Sequence, residues 1–374
     1  MACVLFSCNE RAGRIPLNNM TAKNIFIAFT GPKIEQDSAT HQIAPGYECW
    51  NLAKFSLEGF VSAIKSRIPP INDNVLRNYE RKPGDADDSY GMNDEQYKNC
   101  SWGLLFPDCV SGVLGGGYAE IVFLLNLYSP RFLYPVFYVT AIGISRPDHH
   151  KNRLLYFHDQ KQADRFRRNE FVGFYEALIS ETVYASWQAD RAAHWHREDW
   201  RLFVACLLFN ELKTYENEKY FFTWQRESAD MATILEALFT AGTGDNTEVG
   251  YKLRKRIAAL MAFRFADIEQ AVKKLYEERS AFVHGSFFRQ FKNEIEIQGG
   301  FAKLPSPPFE ALYAHKERIR HALAAYLYLS KTYRSKKDNF TDCKNVIDIL
   351  EKSIIDLDLR ARVTQHAEAI FGLM

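Results

Sequence analysis

The chain lacks cysteines at metal or redox spacing. Its seven, Cys3, Cys8, Cys49, Cys100, Cys109, Cys206 and Cys343, form no CxxC pair and no zinc pattern. Their odd number and scatter exclude a disulfide scaffold and suit free thiols in a reducing cytosol. Long apolar runs are also missing. The longest tract, near Ala119 to Ile144, is interrupted by Asn126, Pro130, Arg131 and Pro135, so no membrane span is expected. Arg11 and Arg14 break up any apolar leader near the start. Neither sign of charge dominates: 47 basic and 46 acidic residues leave a formal charge of +1. Bulk attraction to nucleic acid or membrane is therefore absent, although a local basic groove would not show in the total. These absences predict a soluble cytoplasmic protein with no membrane partner.

What remains is ordinary globular material, 47% hydrophobic and 25% charged, in 374 residues, enough for two domains. The two halves differ in texture. Residues 1–160 carry Gly31-Pro32, Pro45-Gly46, Pro69-Pro70, Pro83-Gly84 and Gly115-Gly116-Gly117 between short β-prone runs. Strands are predicted at Asn24–Thr30, Ala119–Tyr128 and Pro135–Ile144, with a helix over Leu52–Ile68 that stops before Pro69-Pro70. Arg81 to Glu95 is acidic without apolar period and is expected to be a loop. From Asp164 to Pro305 proline disappears and helical periodicity takes over. Helices are predicted at Asp164–Ser186, Glu198–Asn217, Ser228–Thr240, Val249–Arg264, Asp267–His284, Phe309–Arg334 and Thr341–Phe371, with a loop over Phe301–Phe309. The expected fold is α+β overall. It comprises a β-containing N-terminal domain over 1–160 and an all-α helical bundle over 161–374.

One segment of the helical half stands out: Glu278-Arg279-Ser280-Ala281-Phe282-Val283-His284-Gly285. Leu275, Val272 and Ile268 behind Arg279, with Phe282 and Val283 ahead of it, fall within one arc at helical spacing. Arg279 sits in the middle of that arc. An arginine keeps its charge, so on a core-facing stripe it needs a carboxylate, a helix end or a phosphate. His284 lies about 140° from Arg279 on an ideal helix. Gly285, the residue type expected just past a helix end, places His284 in the last turn, where geometry relaxes. The helix dipole favours a cation at that end, which suits an acid or a phosphate contact.

The run Tyr276 to Gly285 resembles the RxxxxH signature of HEPN domains (higher eukaryotes and prokaryotes nucleotide-binding). Within them it is most similar to the Apea-like branch linked to bacterial anti-phage defence. Ser280 fits the polar residue that follows the arginine there. Leu235 to Phe239, Tyr251 to Leu260 and Arg318 to Tyr328 also resemble that branch, so the likeness covers the helical half. It implies a metal-independent endoribonuclease, a toxin-like effector, whose two copies pair so that two arginines and two histidines line one cleft. It further implies RNA as substrate, a homodimer, no metal and no cofactor, and a trigger or regulatory partner at the N-terminal domain. RNA supplies its own nucleophile in the 2′-hydroxyl. Under this likeness His284 handles the proton, Arg279 stabilises the phosphorane, and Ser280 and Lys274 support the arginine or contact RNA. The ends produced would be a 2′,3′-cyclic phosphate and a 5′-hydroxyl.

Other readings stay open. Arg279 in an apolar stripe also suits a structural ion pair with Glu236, and His284 before Gly285 a simple helix cap, giving a non-catalytic binding or scaffold module. A toxin-like domain controlled by covalent modification at Tyr276 or Ser280 is a third possibility. Arg256, beside Leu253, Ile257 and Leu260, is expected to be structural. Ten basic residues against five acidic ones between Glu248 and Lys292 suit a polyanion or a solvated face. Phe282, Phe287, Phe288 and Phe291 suit core packing or base stacking. Gly112 to Gly117 lacks the lysine of a P-loop and reads as a turn. His149, His150, His158, His194 and His196 have no completing ligand and read as surface residues. Trp187, Trp195 and Trp200, near Arg191, Arg197 and Arg201, read as packing a helical corner.

Overall fold

The structure, a computed structural model, describes residues 23–30, 39–44, 47–68, 100, 102–108, 123–124, 126–128, 134–139, 144–145, 173–174, 177–178, 197–214, 221–240, 249–284, 296–298, 301–303, 309–335, 340 and 342–374.

Six strands form one sheet in the order β2-β3-β4-β1-β5-β6, every pair antiparallel. They are β1 (Lys23–Thr30), β2 (Thr40–Ala44), β3 (Tyr47–Asn51), β4 (Trp102–Asp108), β5 (Tyr134–Val139) and β6 (Ile144–Ser145). Side chains alternate across each strand, and here the two faces serve different cores. Phe26, Ala28, Trp50, Leu105 and Val139 pack with Phe60, Ile64 and Ile68 of α1 (Leu57–Arg67). Cys49, Trp102 and Leu104 face the other way, into the main core shared with the C-terminal helices. Ser56 caps α1 by accepting the Gly59 amide at 3.0 Å. The helix ends at Ile68, before the prolines the sequence places there.

Further helices among the described residues are α2 (Arg197–Thr214), α3 (Phe221–Phe239), α4 (Val249–Met261), α5 (Ile268–Val283), α6 (Phe309–Ser335), α7 (Val346–Ser353) and α8 (Leu357–Phe371). α3 packs between α2 and α5, while α8 lies against α4, α6 and α7. A hairpin of β7 (Glu296–Gln298) and β8 (Phe301–Lys303) separates α5 from α6. Helix with antiparallel sheet is the α+β architecture expected. Among the described residues no helix is long and apolar enough to cross a membrane. Cys49, Cys100, Cys206 and Cys343 carry free thiols.

Four expectations are corrected. The one strand expected over Pro135–Ile144 is two, β5 and β6, which pair antiparallel with Val139 opposite Ile144. Ala119–Tyr128 is not a strand where it is described: Phe123, Leu124, Asn126, Leu127 and Tyr128 are helical. Apolar content alone does not separate a buried strand from a buried helix. Here Phe123, Leu124, Leu127 and Tyr128 are buried at helical spacing, and Arg320 of α6 donates to the carbonyls of Leu127 at 2.9 Å and Tyr128 at 2.8 Å. The expected loop Phe301–Phe309 begins instead as strand β8. Its signal is Gly299-Gly300 between the two short runs, a dipeptide suited to a hairpin link. The single helix expected over Thr341–Phe371 is two. Asp356 accepts the amides of Asp358 and Leu359, both at 3.0 Å, and so starts α8 afresh after α7 has ended. No local sequence signal marks strands β2, β3 and β4. The Arg81–Glu95 loop and the Gly112–Gly117 turn lie outside the described residues.

Candidate functional site

α5 carries the motif, and its burial follows the apolar arc only part of the way. Ile268, Ala271, Val272 and Leu275 are buried against the bundle, as the spacing predicts. Farther on the arc drifts off the core: Phe282 is half-buried and Val283 is 58% exposed, with Ala281 taking the inward place. Arg279 therefore sits at the margin of the core, its side chain 30% exposed.

At that margin Arg279 makes two contacts. Its Nη1 lies 3.3 Å from Oε1 of Glu236 on α3, whose side chain is 23% exposed. Its guanidinium also lies over the ring of Tyr276, 5.6 Å from the centroid. Tyr276 and Arg279 are three residues apart and share a helix face. Burial, reinforced by the Glu236 carboxylate, pushes the Tyr276 hydroxyl above its ordinary pKa, while Arg279 opposes the shift. Glu236 is the carboxylate expected for Arg279 as an ion-pair partner.

His284 forms the C-cap of α5, with φ −90° and ψ 5°, and its amide donates to the Ser280 carbonyl at 3.0 Å. Its side chain is exposed. Gly285 lies outside the described residues. Ser280 is half-buried, and Lys274 is exposed on the next turn back. The Lys274 charge acts on Glu278 and on His315 of α6. Burial holds Glu278 above the usual carboxylate range, against Lys274 and a hydrogen bond donated by Ser228 of α3 at 3.2 Å.

Much of the basic surplus around the motif is engaged. Lys255 meets Glu269 at 3.0 Å, and Lys273 meets Glu277 at 3.8 Å one turn away. Arg256 is buried between the Phe239 carbonyl and Glu351, the structural role expected of it. Arg264 lies over the rings of Phe265 and Phe371. Arg318 bonds Asp267 at 2.6 Å. A further ion pair, Lys316 with Glu227 at 3.0 Å, is buried between α6 and α3. No property of the sequence singled that pair out.

Of the weaker candidates, His149, His150, His158, His194, His196, Trp187, Trp195, Arg191, Phe287, Phe288 and Phe291 lie outside the described residues. Among the described residues no group of three or more His, Cys, Asp or Glu is placed to hold a metal ion. No family model matches the chain, and neither does any curated protein or solved structure.

Proposed function

We propose that the helical half acts as a metal-independent endoribonuclease of HEPN type, serving anti-phage defence or a regulated toxin. The observation that supports it is the placement of Arg279 at a solvent-reachable margin of the bundle, close along α5 to an exposed His284 at the helix end. A cation to meet the phosphate and an imidazole to move the proton are what 2′-hydroxyl attack on a phosphodiester calls for. In this reading Arg279 meets the phosphate and His284 moves the proton. Ser280 and Lys274 support the phosphate contact, and a second copy completes the cleft. The N-terminal half takes the trigger or partner that keeps the nuclease quiet.

A second reading has its own support. Arg279 already holds a carboxylate, Glu236, and an arginine so paired serves equally in a non-catalytic HEPN nucleotide-binding or scaffold module. Expressing wild type, Arg279→Ala and His284→Ala separates the two, with growth and RNA cleavage measured in EDTA. The nuclease reading expects cleavage by the wild type alone, with cyclic-phosphate ends. Folded variants that cleave as well as the wild type overturn it.

A further inference from the structure

α4 carries Lys252, Arg254, Lys255 and Arg256 and no acidic residue. Two of these charges are used inside the fold. Arg256 is buried against Glu351, and Lys255 meets Glu269 of α5 at 3.0 Å. Lys252 and Arg254 have no ion-pair partner among the described residues. Arg254 donates from Nε to the Gly250 carbonyl at 3.1 Å, which engages one of its five N–H groups.

Tyr251 lies between these two cations on the helix circumference. At about 100° per residue, Lys252 and Arg254 fall to its two sides, while Leu253 and Ile257 turn to the core. The Tyr251 ring is 53% exposed, so it adds little to that core. It is braced nonetheless. The Lys255 Nζ lies 5.8 Å from its centroid, and Glu269 holds the same ammonium. The chain therefore shows an open aromatic ring with an unbalanced cation on each side.

The connection carries this group toward the motif. α4 and α5 pack against each other across the short link 262–267, and Ile257 lines one small cavity with Ile268, Ala271, Val272 and Leu275. Helices packed across so short a link run in opposite directions. The first turn of α4 thus points to the end of α5 that holds Arg279 and His284.

We propose that Tyr251, Lys252 and Arg254 form a binding surface for single-stranded RNA, in which a base stacks on the Tyr251 ring and flanking phosphates meet the two cations. A duplex keeps its base faces covered, whereas an unpaired strand offers both a base face and its phosphates. The surface deepens the nuclease reading by naming unpaired RNA as its substrate, and rests on that reading for the path of the strand toward Arg279.

The test measures binding by the full chain, in EDTA, to an uncleavable 2′-O-methyl RNA oligonucleotide and to an abasic strand of equal length and charge. Tyr251→Ala should weaken the first by about tenfold and leave the second unchanged. Tyr251→Phe keeps the ring and should bind as the wild type does. Lys252→Gln combined with Arg254→Gln should weaken both strands and make the log–log fall of affinity with salt shallower by about 1.4, one phosphate for each cation. Melting temperatures should stay at the wild-type value throughout.

A Tyr251→Ala protein with wild-type affinity, or with equal losses on the two strands, overturns the proposal. So does a wild type that binds neither strand, or a deficit that only tracks loss of folded protein. Cleavage of unmodified RNA separates this proposal from the nuclease reading. If Arg279→Ala abolishes cleavage while the α4 variants bind and cleave normally, the α4 surface alone is lost. If binding depends on Tyr251 but the wild type cleaves nothing, the surface stands and the nuclease reading falls.

Discussion

Glu351 of α7 reaches the guanidinium of Arg256, which α4 carries into the main core with 1% of its surface exposed. The Phe239 carbonyl at the end of α3 accepts from the same group, so three helices meet at one charge. Removing only the carboxylate leaves a buried cation short of its partner. Glu351→Ala is expected to destabilise the chain by about 2–4 kcal/mol. Arg256→Met removes the charge as well and should cost less. Denaturant unfolding of both variants measures the difference, and a Glu351→Ala protein as stable as the wild type would show the pair to be idle.

Gly103 and Gly250 should respond oppositely to alanine. A Cβ at Gly103 on β4 would lie 2.1 Å from the Phe26 ring, which packs against Trp50 and Phe60 and cannot withdraw. Overpacking there should cost about 1–3 kcal/mol or more. A Cβ at Gly250 in α4 meets nothing within 4 Å, so Gly250→Ala should stabilise by about 0.5–1 kcal/mol. Thermal melts of the two variants should shift in opposite directions.

Two buried histidines set an acid limit. Burial lowers His321 to about 3, with Arg320 and Arg264 adding to the effect and the Glu317 backbone opposing it. It lowers His315 to about 4, with Arg318 and Lys274 adding and Asp267 opposing. Both folded values lie below the unfolded value of 6.5. The unfolded chain therefore takes up protons first as pH falls. Their stabilisation is complete above about pH 6.5 and declines from there down to about 4 for His315 and about 3 for His321, by at most about 1.4 kcal/mol per pH unit for each. His321→Phe, placed among the rings of Phe265 and Phe371, should flatten that decline. Denaturant titrations between pH 7 and 4 that keep the wild-type slope would refute the assignment.

Arg279→Ala should leave the fold nearly intact. The Glu236 pair is partly solvated on both sides, and such pairs contribute about 1 kcal/mol or less. Any loss of activity in this variant should therefore appear without a matching fall in melting temperature.

The helical half was legible because its signals are local. The spacing of Ile268, Val272 and Leu275 predicted the buried stripe of α5, and its last helical residue falls one short of the predicted end. The Arg279–Glu236 pair was readable because an unyielding charge on a semi-apolar stripe demands a partner. Long-range pairings were less legible. β3 and β4 are short, and β4 contains Gly103 and Pro107, which argue against a central strand. Only the Phe26 ring over Gly103 explains how that glycine is tolerated, and sequence spacing cannot show a ring from another strand.

The division of β4 between two cores pins its register. Trp102 and Leu104 belong to one core, Gly103 and Leu105 to the face that α1 covers. A slip of one residue against β1 would turn Trp102 toward α1 and present Gly103 to the helices, leaving one core overfilled and the other hollow. Neighbouring strands in most half-exposed sheets are penalised for such a slip on one side only. Here both sides reject it, so the register of β4 against β1 is specified twice over, once by each core.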